Sequence, residues 1–186
     1  MRIVSGSHRG RIIHTPKNLP VRPTTDFAKE SIFNILHNYF ELEGLKILDL
    51  FCGTGNISYE FASRGCDDII AIDTNFNCCD FVKKTAAAFQ MQQIKVMKVD
   101  VFVFLKKVTG TFHIIFADPP YDMEHMDKIQ ELVFERQLLK PEGWMIIEHG
   151  PNTDLSSLSY FKEKRTYGNV NFSIFVNTSP APQQDL

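Results

Sequence analysis

The chain has 186 residues, of which 44% are hydrophobic and 23% are charged, a balance typical of a globular protein with a sizeable core. It has no apolar run near the roughly 18 residues that a membrane span needs, and its first 20 residues lack the apolar centre of a secretory signal. Its four cysteines show neither a disulfide framework nor paired metal-ligand spacing, so we expect a cytoplasmic protein without a metal.

The net charge of −2 is unevenly distributed along the chain. Residues 1–25, called the basic arm below, contain five Lys or Arg residues and no Asp or Glu, so the remaining 161 residues carry a net charge of −7. Such a split predicts either an arm that contacts a polyanion or a solvated terminus.

The first 43 residues predict an arm followed by a helix. Glycines and prolines break residues 1–23 into short extended pieces, and apolar residues at helical spacing predict a helix over 26–40. We place the boundary with the next domain near Gly44, and we expect the tail 179–186, with its Ser-Pro-Ala-Pro run, to be disordered.

Short apolar runs then alternate with helical patterns over residues 44–178. Strands are predicted at 47–50, 69–72, 94–99, 112–117 and 144–147, and the segments between them carry apolar residues at helical spacing. This alternation predicts a parallel sheet with helices on both faces. Two further strands, 160–167 and 170–176, flank Gly168-Asn169 and predict an antiparallel hairpin at the sheet edge.

A glycine-containing loop follows the first predicted strand. Residues 49–55 read Asp-Leu-Phe-Cys-Gly-Thr-Gly, and Gly53 and Gly55 allow a tight turn in which a ligand approaches bare backbone. The loop is typical of nucleotide-like cofactor sites, although an ordinary turn between strand and helix would also use glycines. A nicotinamide dehydrogenase is disfavoured because Ser58 stands where its motif has a third glycine.

Two more acids follow predicted strands. Asp73 closes the second strand, where doubly wound folds place an acid that accepts hydrogen bonds from both ribose hydroxyls. Asp100 follows the third strand, where it could accept from an adenine amino group or cap the helix after it. Ligands bind at the carboxyl ends of parallel strands, so we expect a cofactor there.

The sharpest motif is Asp118-Pro119-Pro120-Tyr121, directly after the fourth strand. The exocyclic amine of a nucleobase is a poor nucleophile because its lone pair is delocalised into the ring. A carboxylate and a main-chain carbonyl that accept from the amino hydrogens free this lone pair, and two prolines hold both acceptors in place. Tyr121 can stack on the base, whereas in a purely structural turn it would pack in the core.

With these motifs the sequence resembles the RsmD family of class I methyltransferases, which methylate guanine N2 of bacterial 16S ribosomal RNA. The resemblance extends over nearly the whole chain, and its specific part lies near the start: residues 2–6, Arg9-Gly10-Arg11, 22–26 and 33–36. It implies a Rossmann-like fold with a mixed, mostly parallel seven-stranded sheet, a C-terminal antiparallel hairpin and a small basic N-terminal extension.

The resemblance also implies roles for individual residues. S-adenosylmethionine would be held by the loop, by Asp73 and Asp100 and beside Asp118; the residues assigned to it are Asp49, Phe51, Gly53, Gly55, Asp73, Asp100 and Asp118. Catalysis would fall to Asp118, Pro119, Pro120 and Tyr121. The RNA would be bound by Arg9, Arg11, Arg22, Thr24 and Lys29. The partner would be 16S rRNA within an assembling small subunit, bound by a monomer.

Two residues depart from the family pattern. Phe27 stands where relatives often carry Arg, and Lys29 replaces a second Arg, which keeps the positive charge but loses the bidentate fork. The 161 residues after the basic arm are also acidic for an RNA enzyme, so we expect the arm to make most of the RNA contact.

Other functions use similar motifs. The same motif serves adenine N6 in DNA and the amide of a protein glutamine, but the short chain leaves little room for a DNA-recognition domain and the basic arm argues against a peptide. C5-methylation of cytosine needs a cysteine nucleophile, and no Pro-Cys pair occurs at this strand end. A non-catalytic RNA-binding assembly protein remains a different class, which the intact motifs disfavour.

Several other residues have a structural interpretation beside a functional one. His113 is more simply a packed histidine than a base, Trp144 is a core residue, and Arg64 can pair with a nearby acid. Glu148-His149 at the end of the fifth strand could touch the substrate or cap a loop.

Overall fold

A computed structural model describes residues 1–16, 19 and 25–178 of the chain. Five helices lie in this part: α1 (Asp26–Tyr39), α2 (Asn56–Ser63), α3 (Phe76–Ala88), α4 (Val101–Lys107) and α5 (Met126–Glu135). Seven strands form one sheet: β1 (Lys46–Leu50), β2 (Asp68–Asp73), β3 (Ile94–Lys98), β4 (Phe112–Ala117), β5 (Leu139–His149), β6 (Phe161–Tyr167) and β7 (Val170–Val176).

The strand order is β3-β2-β1-β4-β5-β7-β6. Strands β1 to β5 pair in parallel, whereas β7 pairs antiparallel with both β5 and β6. The predicted seven-stranded mixed sheet with its C-terminal hairpin is therefore confirmed. The chain reverses its direction of progress across the sheet between β1 and β4, which is the point where such sheets open a crevice for ligands.

The two faces of the sheet carry separate hydrophobic cores. On one face Ile47, Ile114 and Ile146 pack with α1, α2 and α3, and on the other Leu48, Ile115 and Ile147 pack with α4 and α5. Neighbouring residues of one strand point to opposite faces, so strands buried on both faces need the continuous apolar runs seen in the sequence.

Most predicted boundaries agree with the structure to within one or two residues, but β5 is longer than its apolar run. It begins at Leu139 instead of Trp144, and a register shift against β4 falls between Phe112 and Ile114. Glu142 in this stretch has a φ of 60°, so polar and irregular residues precede the apolar part of the strand. A pattern of apolar residues alone misses such a beginning.

The described part of the basic arm packs against the sheet domain. Arg2 and Ile12 form an antiparallel bridge, and Ile3 and Ile13 are buried in the same core as α1 and α2. The division at residue 44 therefore separates segments that share one core. The predicted disorder of residues 179–186 concerns a segment outside the described residues.

Across residues 1–16, 19 and 25–178, no helix combines the length and the apolar character that crossing a membrane requires.

Candidate active site

Four aspartates lie at the ends of four parallel strands, on one edge of the sheet. Asp49 lies near the end of β1, Asp73 ends β2, Asp100 follows β3 by two residues, and Asp118 follows β4 directly. Because β1 to β4 are parallel, these residues share the carboxyl edge, where the sequence predicts the cofactor.

The loop after β1 is a tight turn that only certain residues tolerate. Phe51, Gly53 and Gly55 all have positive φ values, of 63°, 50° and 79°. A Cβ on Gly55 would lie 2.7 Å from the ring of Tyr59, so the turn needs glycine there for space as well as for conformation. The loop is tied to β2 by the Cys52 N–H, which donates to the carbonyl of Ile72 at 2.8 Å.

Asp49 lies beneath this loop and is only 1% exposed. The Ser58 hydroxyl donates to its Oδ2 at 2.5 Å, and burial raises the pKa of Asp49 to about 7, against the effect of this hydrogen bond. The carboxyl of Asp49 is covered by protein, and it ties β1 to the first turn of α2 and positions the loop. A role of Asp49 in binding the cofactor stays a prediction.

Asp73 is only partly buried and joins two loops. Its Oδ2 accepts from the Gly53 N–H at 2.9 Å, and its Oδ1 accepts from the Asn75 N–H at 2.8 Å. A carboxylate has about four acceptor sites, so these two bonds leave capacity for the hydroxyls of a ribose. These two backbone bonds fix the orientation of the carboxylate.

Asp100 caps a helix and also lines a cavity. Its Oδ1 accepts from the N–H groups of Phe102 and Val103, both at 3.0 Å, so the predicted capping alternative is observed. The side chain is exposed, and it borders a cavity of about 210 Å³. The cavity is lined by Phe51, Ile72, Thr74, Val99, Asp100, Val101, Pro120 and Met123.

The Asp-Pro-Pro-Tyr segment forms a turn beside β1. The Asp118 N–H donates to the Leu50 carbonyl at 3.3 Å, and the Pro120 carbonyl accepts from the Met123 N–H at 2.8 Å. Asp118 is partly buried and Pro119 is buried, whereas Pro120 is exposed and borders the cavity. The turn thus brings the predicted catalytic segment next to the loop that carries Phe51.

Tyr121 does not pack in the core, since it is 50% exposed. Its hydroxyl donates to Glu148 Oε1 at 3.3 Å, and its ring lies against Gly150, where an added Cβ would approach the ring to 3.2 Å. The contact with Glu148, which is 3% exposed, was missed by the sequence analysis because it joins residues 27 positions apart.

His149 holds the end of β5 and is fully buried. Its Nε2 lies 2.8 Å from the Ser173 hydroxyl, and its Nδ1 lies 2.9 Å from the Gly150 carbonyl. Burial lowers the pKa of His149, which favours the neutral ring. His113 is also engaged in structure: the Lys46 N–H donates to its Nδ1 at 2.9 Å, and burial lowers its pKa.

The predicted RNA-binding residues fall in different surroundings. Arg9 and Arg11 are exposed, and the Arg11 guanidinium lies 5.0 Å from the centre of the Phe89 ring. The segment around them is attached to the C-terminal end of α2 through the Ser7 N–H and the Ser63 carbonyl at 2.7 Å. The length of α2, about 12 Å, therefore separates Arg9 and Arg11 from the cofactor loop. Arg22 and Thr24 lie outside the described residues.

Lys29 is not available to RNA, and this prediction is corrected. Its side chain is 1% exposed, and its Nζ donates to the Arg2 carbonyl at 2.6 Å and to Asn56 Oδ1 at 2.8 Å. Glu60 Oε2 lies 3.5 Å away and is also buried. Burial lowers the pKa of Lys29, with Glu60 opposing the shift. Lys29 therefore joins the arm, α1 and α2.

Arg64 pairs with an acid and Trp144 lies in the core, as the structural interpretation of the sequence predicts. Arg64 Nε donates to Glu60 Oε1 at 2.8 Å, and Trp144 is 3% exposed. Within the described ranges, no group of three or more His, Cys, Asp or Glu side chains is arranged to hold a metal ion.

The strand order and the carboxyl-edge cavity define the class I methyltransferase fold, a Rossmann-like architecture. A solved Escherichia coli structure described as a candidate methyltransferase, YhhF, has this fold: the TM-score is 0.84 at 22% identity, over 97% of this chain and 99% of that one. A candidate methylase from Haemophilus influenzae gives a TM-score of 0.78 at 24% identity, over 96% and 98% of the two chains.

Residues 1–176 match the family model described as conserved hypothetical protein 95, and the chain belongs to that family. The Bacillus subtilis protein YlbH, a candidate rRNA methyltransferase by its name, is 33% identical over 94% of this chain and 98% of its own. The ribosomal RNA small subunit methyltransferase D of H. influenzae is 27% identical over 95% and 94%. These matches confirm the resemblance to the RsmD family.

Proposed function

We propose that this protein transfers a methyl group from S-adenosylmethionine to the exocyclic N2 amine of a guanine in 16S ribosomal RNA. The observation that carries the proposal is one cavity bordered both by the glycine loop, through Phe51, and by the Asp-Pro-Pro-Tyr turn, through Pro120. The names of the relatives, which include ribosomal RNA small subunit methyltransferase D, support the substrate.

The residues at the carboxyl edge suit this cofactor. Asp73, oriented by the Gly53 and Asn75 N–H groups, would accept from the ribose hydroxyls. The apolar walls of the cavity and the exposed Asp100 suit an adenine ring with its amino group. A solved methyltransferase structure in complex with SAH, SMU.776, has a TM-score of 0.63 at 16% identity, and it supports a ligand of this kind. When bound, S-adenosylmethionine supplies an electrophilic methyl group on a sulfonium.

Asp118 would act on the target amine. Its carboxylate would accept a hydrogen bond from the NH2 group and localise the nitrogen lone pair, and it can then take up the proton that the nitrogen loses. Pro119 and Pro120 restrict the turn, so that the acceptors need little reorganisation during the reaction. Tyr121 presents a half-exposed ring on which the base would stack. No covalent enzyme intermediate is required.

The RNA contact is assigned to the basic arm. Arg9 and Arg11 are exposed on the described part of an arm whose net charge is +5, whereas the rest of the chain carries −7. Such a distribution supports an RNA footprint that is confined to one side of the protein. We further propose that the substrate is 16S rRNA within an assembling small subunit, and that the enzyme acts as a monomer.

A protein glutamine is the main alternative substrate. The release factor glutamine methyltransferase of Buchnera aphidicola is 25% identical over 79% of this chain but only 60% of its own. The relatives named for ribosomal RNA match over more of both chains, with 94% and 98% for YlbH, so the rRNA assignment is favoured.

A methyl-transfer assay tests the proposal. Small subunits from cells that lack this protein are incubated with labelled S-adenosylmethionine, and the modified nucleoside is identified by mass spectrometry. We expect N2-methylguanosine in 16S rRNA, and we expect Asp118→Ala to abolish its formation while S-adenosylmethionine binding, measured by calorimetry, stays nearly intact.

The matched control is Asp122→Ala, which removes an exposed acid four residues further along the same segment and should keep the activity. Substantial methyl transfer by the Asp118→Ala variant would refute the catalytic assignment. Label in a protein, with none in RNA, would favour the glutamine alternative.

A further inference from the structure

Two acidic residues lie at the same level at the ends of neighbouring parallel strands. Ala117 of β4 is paired with Ile147 of β5 in parallel register, so the next residues along, Asp118 and Glu148, follow at the same level. Parallel neighbours lie about 4.8 Å apart in the sheet. Phe116 and Ile146 pack in the same core, so strand alternation directs Asp118 and Glu148 toward that same side.

Glu148 is held close to the predicted base-stacking residue. Glu148 is 3% exposed, and its Oε1 accepts from the Tyr121 hydroxyl at 3.3 Å. Tyr121 is half-exposed and sits on Gly150, which has no side chain to fix the ring from below. Through this hydrogen bond, Glu148 contacts the residue on which a base would stack.

The edge of a guanine matches two neighbouring carboxylates. The N2 amino group and the N1–H group are adjacent donors on its Watson–Crick edge, and a carboxylate accepts hydrogen bonds but donates none. We propose that Glu148 is the residue that selects guanine: it accepts from N1–H while Asp118 accepts from the N2 amine. On binding, the base takes the place of the Tyr121 hydroxyl at Glu148, and the Tyr121 ring stacks on the base. This inference rests on the proposed function and names what sets its base specificity.

The same arrangement rejects bases without a donor at N1. Adenine and 2-aminopurine carry an acceptor nitrogen at N1, so Glu148 would face it with lone pair against lone pair and no shared proton. A site built to accept a hydrogen bond discriminates strongly against a ligand that lacks the donor, because the buried acceptor is left unpaired. 2-Aminopurine is the sharpest probe, because it keeps the N2 amine that is methylated and loses only the N1–H.

The test compares guanine with 2-aminopurine at the target position of reconstituted small subunits. We expect the wild-type protein to prefer guanine by about 10- to 100-fold in kcat/KM. In Glu148→Gln, the side chain presents either an oxygen or an NH2 group, so it can pair with either base. The preference should therefore fall to within a few-fold of one, while S-adenosylmethionine binding measured by calorimetry is retained.

Tyr121→Phe is the matched control, because it removes the hydroxyl from Glu148 and keeps the aromatic ring. It should retain the preference for guanine even if both rates change. Glu148→Asp provides a second variant: it withdraws the carboxylate by one methylene, and it should lower the rate on guanine. A wild-type preference for guanine in Glu148→Gln would overturn the inference, as would an unchanged guanine rate in Glu148→Asp.

The outcomes also separate this inference from the proposed function. If the Tyr121→Phe and Glu148→Gln variants lose the preference equally, Glu148 acts only through the tyrosine hydroxyl and the inference is wrong, although the methyltransferase assignment stands. If the wild-type protein methylates no guanine at all, the proposed function fails, and the inference fails with it.

Discussion

Replacing Lys29 by methionine tests the corrected role of this residue. Methionine keeps most of the length and apolar volume of the side chain but removes the ammonium group that donates to the Arg2 carbonyl and to Asn56. Glu60, which is 0% exposed, loses its neighbouring cation at 3.5 Å. Removing one partner of a buried ion pair costs about 3 to 5 kcal/mol.

The expected loss lies at the lower end of that range. Glu60 keeps three other donors: Arg64 Nε at 2.8 Å, the Val4 N–H at 2.8 Å and the Ser5 N–H at 3.0 Å. We therefore expect Lys29→Met to lower the free energy of unfolding by about 3 kcal/mol. Urea denaturation followed by circular dichroism measures this loss, provided that the slope of unfolding free energy against urea is unchanged.

Lys84→Met is the control for losing a lysine. Lys84 is 76% exposed and pairs with Asp80 at 2.7 Å on the surface of α3, so this variant should lose at most about 0.5 kcal/mol. Equal stability of the Lys29→Met and Lys84→Met variants would refute the buried network. A salt dependence of RNA binding that flattens by about one slope unit in Lys29→Met would instead restore Lys29 as a phosphate contact.

Three further predictions concern pH, the arm and RNA. The pKa of Asp49 is about 7 in the folded protein and near 4 in the unfolded chain. Relative to Asp49→Asn, the wild-type protein should therefore lose on the order of 4 kcal/mol of unfolding free energy as the pH rises from 4 to 7. If the unfolding free energies of the two proteins depend on pH in the same way, the burial of Asp49 is contradicted. Gly6→Ala should destabilise by more than about 2 kcal/mol because its Cβ would overlap the Ser63 carbonyl, whereas Gly10→Ala, also at positive φ but with open space, should cost about 1 kcal/mol in urea unfolding. Arg9→Ala with Arg11→Ala should weaken RNA binding and flatten its salt dependence by about one slope unit per lost phosphate contact, and an unchanged slope would mean that the arm is structural.

The sheet could be predicted because its strands are buried on both faces. The runs 47–50 and 112–117 are apolar except for Asp49 and His113, and a glycine or proline follows each within three residues. The hairpin could be predicted equally well, because Val170, Phe172 and Ile174 alternate with polar residues after Gly168-Asn169. Local patterns of this kind predict which segments form strands.

The candidate site could be predicted only in part, because its groups depend on contacts across the sequence. The positions of Asp73 and Asp118 followed from the strand ends. The burial of Lys29 did not, because its cause is Glu60, a residue 31 positions away. Likewise, Ser58 counted as a missing glycine in the sequence, whereas in the structure its hydroxyl holds Asp49. Single-residue patterns do not show which charges become paired in the interior.

The most direct test of the central claim is to map the modified nucleosides of 16S rRNA by mass spectrometry in a strain that lacks this protein. We expect one N2-methylguanosine to disappear in this strain, and to return when the wild-type protein is restored but not when the Asp118→Ala variant is supplied. An unchanged set of methylated guanines in the deletion strain, or full restoration by Asp118→Ala, would contradict it.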